Sequence, residues 1–278
     1  MLSSYPSRLE KYKAEEGKRL ADWKNALNEA KSKGTPLPCK PAPPYNPATY
    51  YNRPSNLYNG MITPIIPYAI RGVIWYQGES NAKGAKQYQS LFPAMIADWR
   101  AQWSQGAFPF LFVQIAPHNN MCPEIREAQL MTLKNSPATA MVVTTDVGDA
   151  NDIHPNQKEP VGARLALAAR AIAYGESIEY SGPLFESVTY KEGKAIVSFS
   201  HTGKGLMAKE GDLQGFEIAG ADAQFYPAQA SIEGNSVLIS HPQVSSPTSI
   251  RYGWANVPKV NLFNQEGLPA SPFRTNPN

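Results

Sequence analysis

The sequence predicts a mixed α/β chain: a parallel sheet with helices on both faces, followed by a small antiparallel β module. Three observations carry this. Short apolar runs rich in Val, Ile, Phe and Tyr alternate with longer helical segments between residues 71 and 174, a rhythm that builds parallel sheets. After about residue 180 the texture changes to short alternating runs broken by glycine, with no helical period. Twenty-five prolines and twenty glycines call for many turns and extended connections, which a helical bundle does not use.

The elements follow in order. Residues 7–33 are expected to form a helix, because Leu20, Trp23, Leu27 and Ala30 recur on one stripe while lysines and glutamates fill the other faces, and Gly34 and Pro36 end it. That narrow stripe suits packing on the body of the protein or on a second copy. Residues 35–54, including Pro41-Ala42-Pro43-Pro44, should run extended over a surface. Strands are expected at 71–76, 109–115 and 140–145, and helices at 86–103, 124–135 and 157–174. Ala195–Phe199, Gly215–Ile218 and Ser236–Ile239 are the clearest strands of the module. This divides the chain into an amino-terminal helix and wrap (1–54), an α/β core (55–180) and a β module (181–278).

Composition narrows the function classes. At 278 residues the chain can bury a sizeable core, and 42% hydrophobic with 18% charged residues is ordinary for a folded protein. A net charge of +3 without a basic stripe gives no reason to expect nucleic acid. No apolar run approaches a membrane span, and residues 1–6 lack the apolar core of a signal peptide. Cys39 and Cys122 form no Cys-x-x-Cys motif, though they could pair. Asp146, Asp149 and Asp152 lack the spacing of a calcium loop, so no metal and no cofactor is expected.

The most informative stretch is Val73-Ile74-Trp75-Tyr76 followed by Gln77-Gly78-Glu79-Ser80-Asn81, an apolar strand delivering a polar cluster at its carboxyl end. His154, one of four histidines, follows a strand and the three aspartates and precedes a helix. A histidine placed there can take a proton from a serine while a carboxylate holds its other ring nitrogen. His118, on the loop after the second strand, reads as a surface residue, and Trp99 and Trp103, four apart on a helix, read as core packing.

Leu57-Tyr58-Asn59-Gly60-Met61-Ile62, the run from Gly72 to Ala82, Asp98-Trp99-Arg100, Asp152-Ile153-His154-Pro155 and Gly267 to Phe273 together resemble the sialate O-acetylesterase family, carbohydrate esterases of the SGNH-hydrolase type. The resemblance implies a three-layer SGNH-like sheet and removal of acetyl groups from an acetylated sugar by a serine–histidine mechanism. It implies His154 as base, Asp152 as its partner, and Gln77, Gly78, Glu79 and Asn81 around the oxyanion and substrate. Gly78 and Asn81 would be the oxyanion donors, and Glu79 a buried carboxylate fixing loops, or else an ion partner of Arg71. Asp152 stands two residues before the histidine instead of the usual three, so Asp149 or a backbone carbonyl remain alternatives.

In that family the nucleophile sits upstream in a Gly-Gln-Ser-Asn element, and no Gly-x-Ser precedes residue 71 here. The expectation is therefore a carboxyl-terminal part of such an esterase. Ser80 is the only candidate nucleophile inside this chain, and it is expected to point away from His154 or to be buried. The competing expectation is a non-catalytic fragment that binds carbohydrate or complements a separate chain. Self-association or a complementing chain would then cover an exposed sheet edge. The resemblance also suggests an exported protein.

Overall fold

The computed structural model describes residues 4–44, 46, 49 and 55–276. Part of the proline-rich stretch (45, 47, 48 and 50–54) and residues 1–3 therefore lie outside the described residues. The chain divides into two compact units, residues 1–68 and 69–278.

The first unit is built on α1 (Tyr5–Lys33), which starts on a proline in its first turn and stops at Gly34, whose left-handed φ of 63° lets its N–H cap Ala30. The proline-rich segment folds back on this helix: the Trp23 indole N–H donates to the Pro38 carbonyl at 3.0 Å. Short helical turns at Tyr58–Ile62 and Thr63–Ile65 complete the unit.

The second unit begins with a parallel sheet of β1 (Val73–Trp75), β2 (Phe110–Val113) and β3 (Thr139–Val142), in that spatial order. The intervening helices are α2 (Ala85–Trp103), α3 (Pro123–Asn135) and α4 (Glu159–Ile172). Side chains alternate across a strand, and β2 shows how both of its faces are buried. Phe110 and Phe112 meet Phe92 of α2 at ring separations of 6.1 and 5.0 Å. Leu111 and Val113 pack instead with Ala168, Val161 and Leu165 of α4. Trp99 and Trp103 lie 5.7 Å apart on α2 with their rings tilted by 35°, and Trp99 also meets Trp75 and Phe110, so these rings are core, as their spacing predicts.

The ladder of β1 is shorter than the predicted 71–76. The chain leaves it after Trp75, and β1 is an edge strand, with Ile74 69% exposed. Its apolar composition reads as interior, but among the described residues it pairs on one side only.

The β module follows: β4 (Leu184–Lys191), β5 (Lys194–Ser200), β6 (Leu206–Ala208), β7 (Phe216–Ala219), β8 (Tyr226–Pro227), β9 (Gln229–Glu233), β10 (Ser236–Ser240), β11 (Ser249–Tyr252), β12 (Leu262–Asn264) and β13 (Phe273–Arg274). They form antiparallel sheets in the orders β4-β5-β10-β9, β13-β11-β7-β8 and β12-β6. Phe216, Tyr252 and Phe273 form its aromatic centre, with Phe216 and Tyr252 4.6 Å apart.

The module is tied to the α/β core by buried polar contacts. Arg126 of α3 is fully buried, has no carboxylate partner among the described residues, and donates to the carbonyls of Ile115, Ala255 and Asn256 at 2.9, 2.8 and 2.7 Å. Burial pulls its pKa down to about 10. Gln114, also fully buried, donates to the Ser271 hydroxyl at 3.0 Å.

Candidate active site

All three parallel strands run the same way, so the loops after Trp75, Val113 and Val142 emerge on one edge of the sheet, the edge at which α/β proteins bind ligands. A cavity of about 450 Å³ lies there, lined by Tyr76, Glu79, Ser80, Ile153, His154 and Lys158. The loop after β1 and the loop after β3 thus bring Ser80 and His154 to one cavity, of a size usual for small-molecule sites.

The β1 loop is held from beneath. Gly78 is buried, with φ 151°, and a Cβ there would sit 3.0 Å from Ile115 Cγ1 and 3.1 Å from its Cδ1, so only glycine fits without displacement. Gln129 of α3, fully buried, accepts from the Ile115 N–H at 2.8 Å and donates to the Val113 carbonyl at 3.1 Å and the Gln77 carbonyl at 3.4 Å. One amide side chain therefore replaces the ladder bonds lost where the chain turns away from β1.

From that anchor the Gln77 side-chain amide donates to Asn81 Oδ1 at 2.8 Å. Tyr88 donates toward the Gln77 side-chain oxygen at 3.2 Å, and burial, together with the nearby Glu79 charge, raises its pKa to about 12, keeping it a neutral donor. The Asn81 oxygen is thereby occupied, while its NH2 group has no protein acceptor among the described residues. An amide fixed in this way can donate to an oxygen that gains charge during a reaction.

Two expectations for this loop are corrected. Glu79 is not a buried carboxylate fixing neighbouring loops: it is partly exposed, lines the cavity and makes no hydrogen bond or ion pair among the described residues. Nor does it pair with Arg71, whose guanidinium donates to the Ala173 carbonyl at 2.7 Å and lies over the Tyr174 ring. Nor is Ser80 buried. It is exposed and shares the cavity with His154, because the chain enters a short helical turn, Glu79–Gly84, directly at Gly78 and carries residue 80 outward.

On the opposite wall, Asp149 Oδ1 accepts the backbone N–H groups of Asn151 and Asp152 at 2.8 and 3.1 Å, which lowers its pKa. Asp152 Oδ1 accepts the His154 N–H at 2.8 Å. These successive aspartate turns shape the loop. His154 Nδ1 stands 3.9 Å from Asp152 Oδ1, and the imidazole side chain is 88% exposed. Asp152 is the carboxylate beside the imidazole, whereas Asp149 is engaged by backbone. Asp146 is engaged as well, in a paired contact with Arg164 at 2.6 and 2.7 Å.

His118 lies on the neighbouring loop, where its Nδ1 accepts the Asn120 N–H, and it does not line the cavity. Two residues of the site went unanticipated. Lys158 places its ammonium 4.9 Å from the centre of the Tyr76 ring, and both line the cavity. The aromatic end of the apolar strand was the available signal for Tyr76; an exposed lysine at a helix start carries none. Cys39 and Cys122 are both free thiols.

A parallel sheet covered on both faces, with a histidine loop and an amide-bearing glycine turn at its carboxyl edge, makes this an α/β protein with its candidate site at the strand ends. Residues 46–171 match the family model described as carbohydrate esterase, sialic acid-specific acetylesterase. Among curated proteins it is similar to the sialate O-acetylesterase of Homo sapiens, 30% identical over 91% of this chain and 56% of that protein. It is also similar to that of Rattus norvegicus, 31% identical over 85% of this chain and 49% of that protein. The chain thus spans about half the length of the curated relatives it matches. A crystal structure of a novel carbohydrate acetylesterase from Xanthomonas citri superposes with a TM-score of 0.77 and 45% identity, covering 79% of this chain and 54% of that one.

Proposed function

We propose that this chain supplies the base and oxyanion side of an O-acetyl carbohydrate esterase that releases acetate from an acetylated sugar. The observation that carries the reading is the meeting of His154 with the Glu79–Ser80 turn in one cavity at the carboxyl edge of the sheet. A serine hydroxyl attacks the acetyl carbonyl, His154 takes its proton, and the same imidazolium then protonates the departing sugar oxygen. Gly78 N–H and the Asn81 NH2 group stabilise the tetrahedral oxyanion, and water then releases acetate from the acyl-enzyme. Asp152 steadies the imidazolium after closing the present gap of 3.9 Å. No cofactor enters this scheme.

The serine has two possible sources, and experiment separates them. Ser80 lines the cavity but makes no hydrogen bond to His154. A serine on a separate polypeptide is the other source, a reading favoured by the unpaired side of β1 and the 69% exposure of Ile74. Hydrolysis of an acetylated sugar and of 4-nitrophenyl acetate should be measured for the chain alone, His154→Ala and Ser80→Ala. Turnover lost in both variants makes Ser80 the nucleophile. Turnover lost only in His154→Ala places the serine elsewhere. Turnover unchanged by His154→Ala refutes the proposed base, and no turnover by the chain alone favours the complementing or non-catalytic reading.

A further inference from the structure

The β module holds a second, smaller cavity of about 250 Å³, lined among others by Phe225, Ser249, Arg251, Trp254, Arg274 and Asn276. It shares no residue with the cavity of His154. Arg251 of β11 and Arg274 of β13 stand directly opposite one another in the strand register. Like charges so placed repel, and each is matched by its own carboxylate. Arg251 donates through Nε and Nη2 to Glu217 at 2.7 and 2.9 Å, and Arg274 in the same manner to Glu127 at 2.7 and 2.8 Å.

These pairs fix two planar forks and leave Nη1 of each arginine without an acceptor among the described residues. Each guanidinium also lies over an aromatic ring, Arg251 over Phe225 at 4.0 Å and Arg274 over Trp254 at 4.8 Å. Trp254 lines an adjoining cavity of about 310 Å³ as well, together with Pro227 and Pro258. Its indole N–H likewise has no acceptor among the described residues.

We propose that these two cavities form a binding site for a neutral oligosaccharide, separate from the site of deacetylation. Each arginine is balanced by its own glutamate, which leaves Lys259 of the second cavity as the charge those pairs do not offset, and the spare N–H groups of the arginines match the hydroxyl and ring oxygens of a pyranose. Aromatic rings beside those donors meet its apolar C–H faces. Two cavities divided by one tryptophan fit successive sugar units better than a single one. The site does not depend on the esterase proposal, because it binds and does not react.

The test is a titration of the whole 15N-labelled chain with cellotetraose, xylotetraose and chitotetraose, each to about 10 mM, where binding worth a few kcal/mol is detectable. The chain has five tryptophans, so the Trp254 indole resonance is assigned with Trp254→Phe. A saturable shift of that resonance with at least one neutral tetrasaccharide is expected, weakened about tenfold in Arg251→Met or Phe225→Ala. No shift with any of the three overturns the proposal, a result that needs no variant to fold. Tenfold tighter binding of an acidic, sialic acid-bearing trisaccharide overturns its neutral character. Hydrolysis rates play no part in either outcome, so failure here is distinguishable from failure of the esterase reading.

Discussion

Replacing Gly78 with alanine tests whether the candidate site is held by backbone geometry. The glycine adopts φ 151° and ψ −14°, a conformation that side chains rarely enter. Forcing alanine into so sparsely populated a region costs about 1–3 kcal/mol. The added methyl would also stand 3.0 and 3.1 Å from Ile115 and 3.4 Å from Gln129 Nε2. Ile115 is itself buried and cannot swing outward, so overpacking adds about 1–3 kcal/mol. The expected loss is therefore about 2–6 kcal/mol, the low end applying if the loop relaxes. Urea denaturation measures it, and the Asn81 side-chain amide resonance reports whether the loop moves. Gly17→Ala is the control: it lies within α1 with nothing within 4 Å of an added Cβ and should gain about 0.5–1 kcal/mol. A Gly78→Ala protein within about 0.5 kcal/mol of wild type, with Asn81 unmoved, refutes the reasoning.

Further predictions follow from the same contacts. Asp149 is held below its ordinary value of 3.8, first by the Asn151 N–H and then by that of Asp152. A carboxylate with a lowered folded pKa stabilises the loop fully above its unfolded value and loses that contribution as pH falls through the folded one. The Asn151 and Asp152 amide resonances should thus titrate with a midpoint below 3.8, and one at or above 3.8 counts against these hydrogen bonds. Arg126→Met removes the donor to the carbonyls of Ile115, Ala255 and Asn256 and should cost about 3–5 kcal/mol in a urea melt. A loss under about 1 kcal/mol would mean that water replaces the guanidinium. Phe112→Ala, which empties a fully buried site against Phe92, should cost about 3–5 kcal/mol by the same melt, and a loss under about 1 kcal/mol would show that α2 collapses onto β2.

Periodicity made the parallel sheet and its helices readable, because strands and helices write their burial into apolar spacing. Phe110 to Val113 and the Leu165–Ala168 face show this spacing directly in the sequence. Where the chain leaves a periodic element, the signal ends. Nothing in Gly78-Glu79-Ser80-Asn81 states that residue 80 is exposed, since the space around Gly78 is limited by Ile115, on the loop after β2 and distant in sequence. Gln129 was visible in principle: it stands four residues after Ile125 on the buried face of α3, a polar residue where an apolar one is expected. A polar residue in such a position needs partners, and the ends of strands leave them unpaired. The composition of β1 did not state its edge position, because an apolar strand with one partner and one with two read alike; the expectation of an exposed sheet edge came from the family resemblance, and β1 lies at the edge of its sheet.

The exposure of His154 bears directly on how such a site could work. An imidazole 88% open to solvent can accept a proton, but in water the ion pair that steadies the resulting cation is screened, and the 3.9 Å separation from Asp152 weakens it further. Both defects have one remedy, a surface that covers the cavity. Excluding water strengthens every charge contact inside and draws the carboxylate into hydrogen-bond distance. The rigid side of the site is already built: Gln129, Gln77 and Asn81 are locked in a chain of hydrogen bonds. The other side is the aspartate loop, held by the turns of Asp149 and Asp152 and by Asn119, which donates to Ala150 and Asn151. The gap that a ligand over His154 would have to close lies between His154 and Asp152 on this loop, so its binding should alter the resonances of residues 149–154 far more than those of residues 77–81.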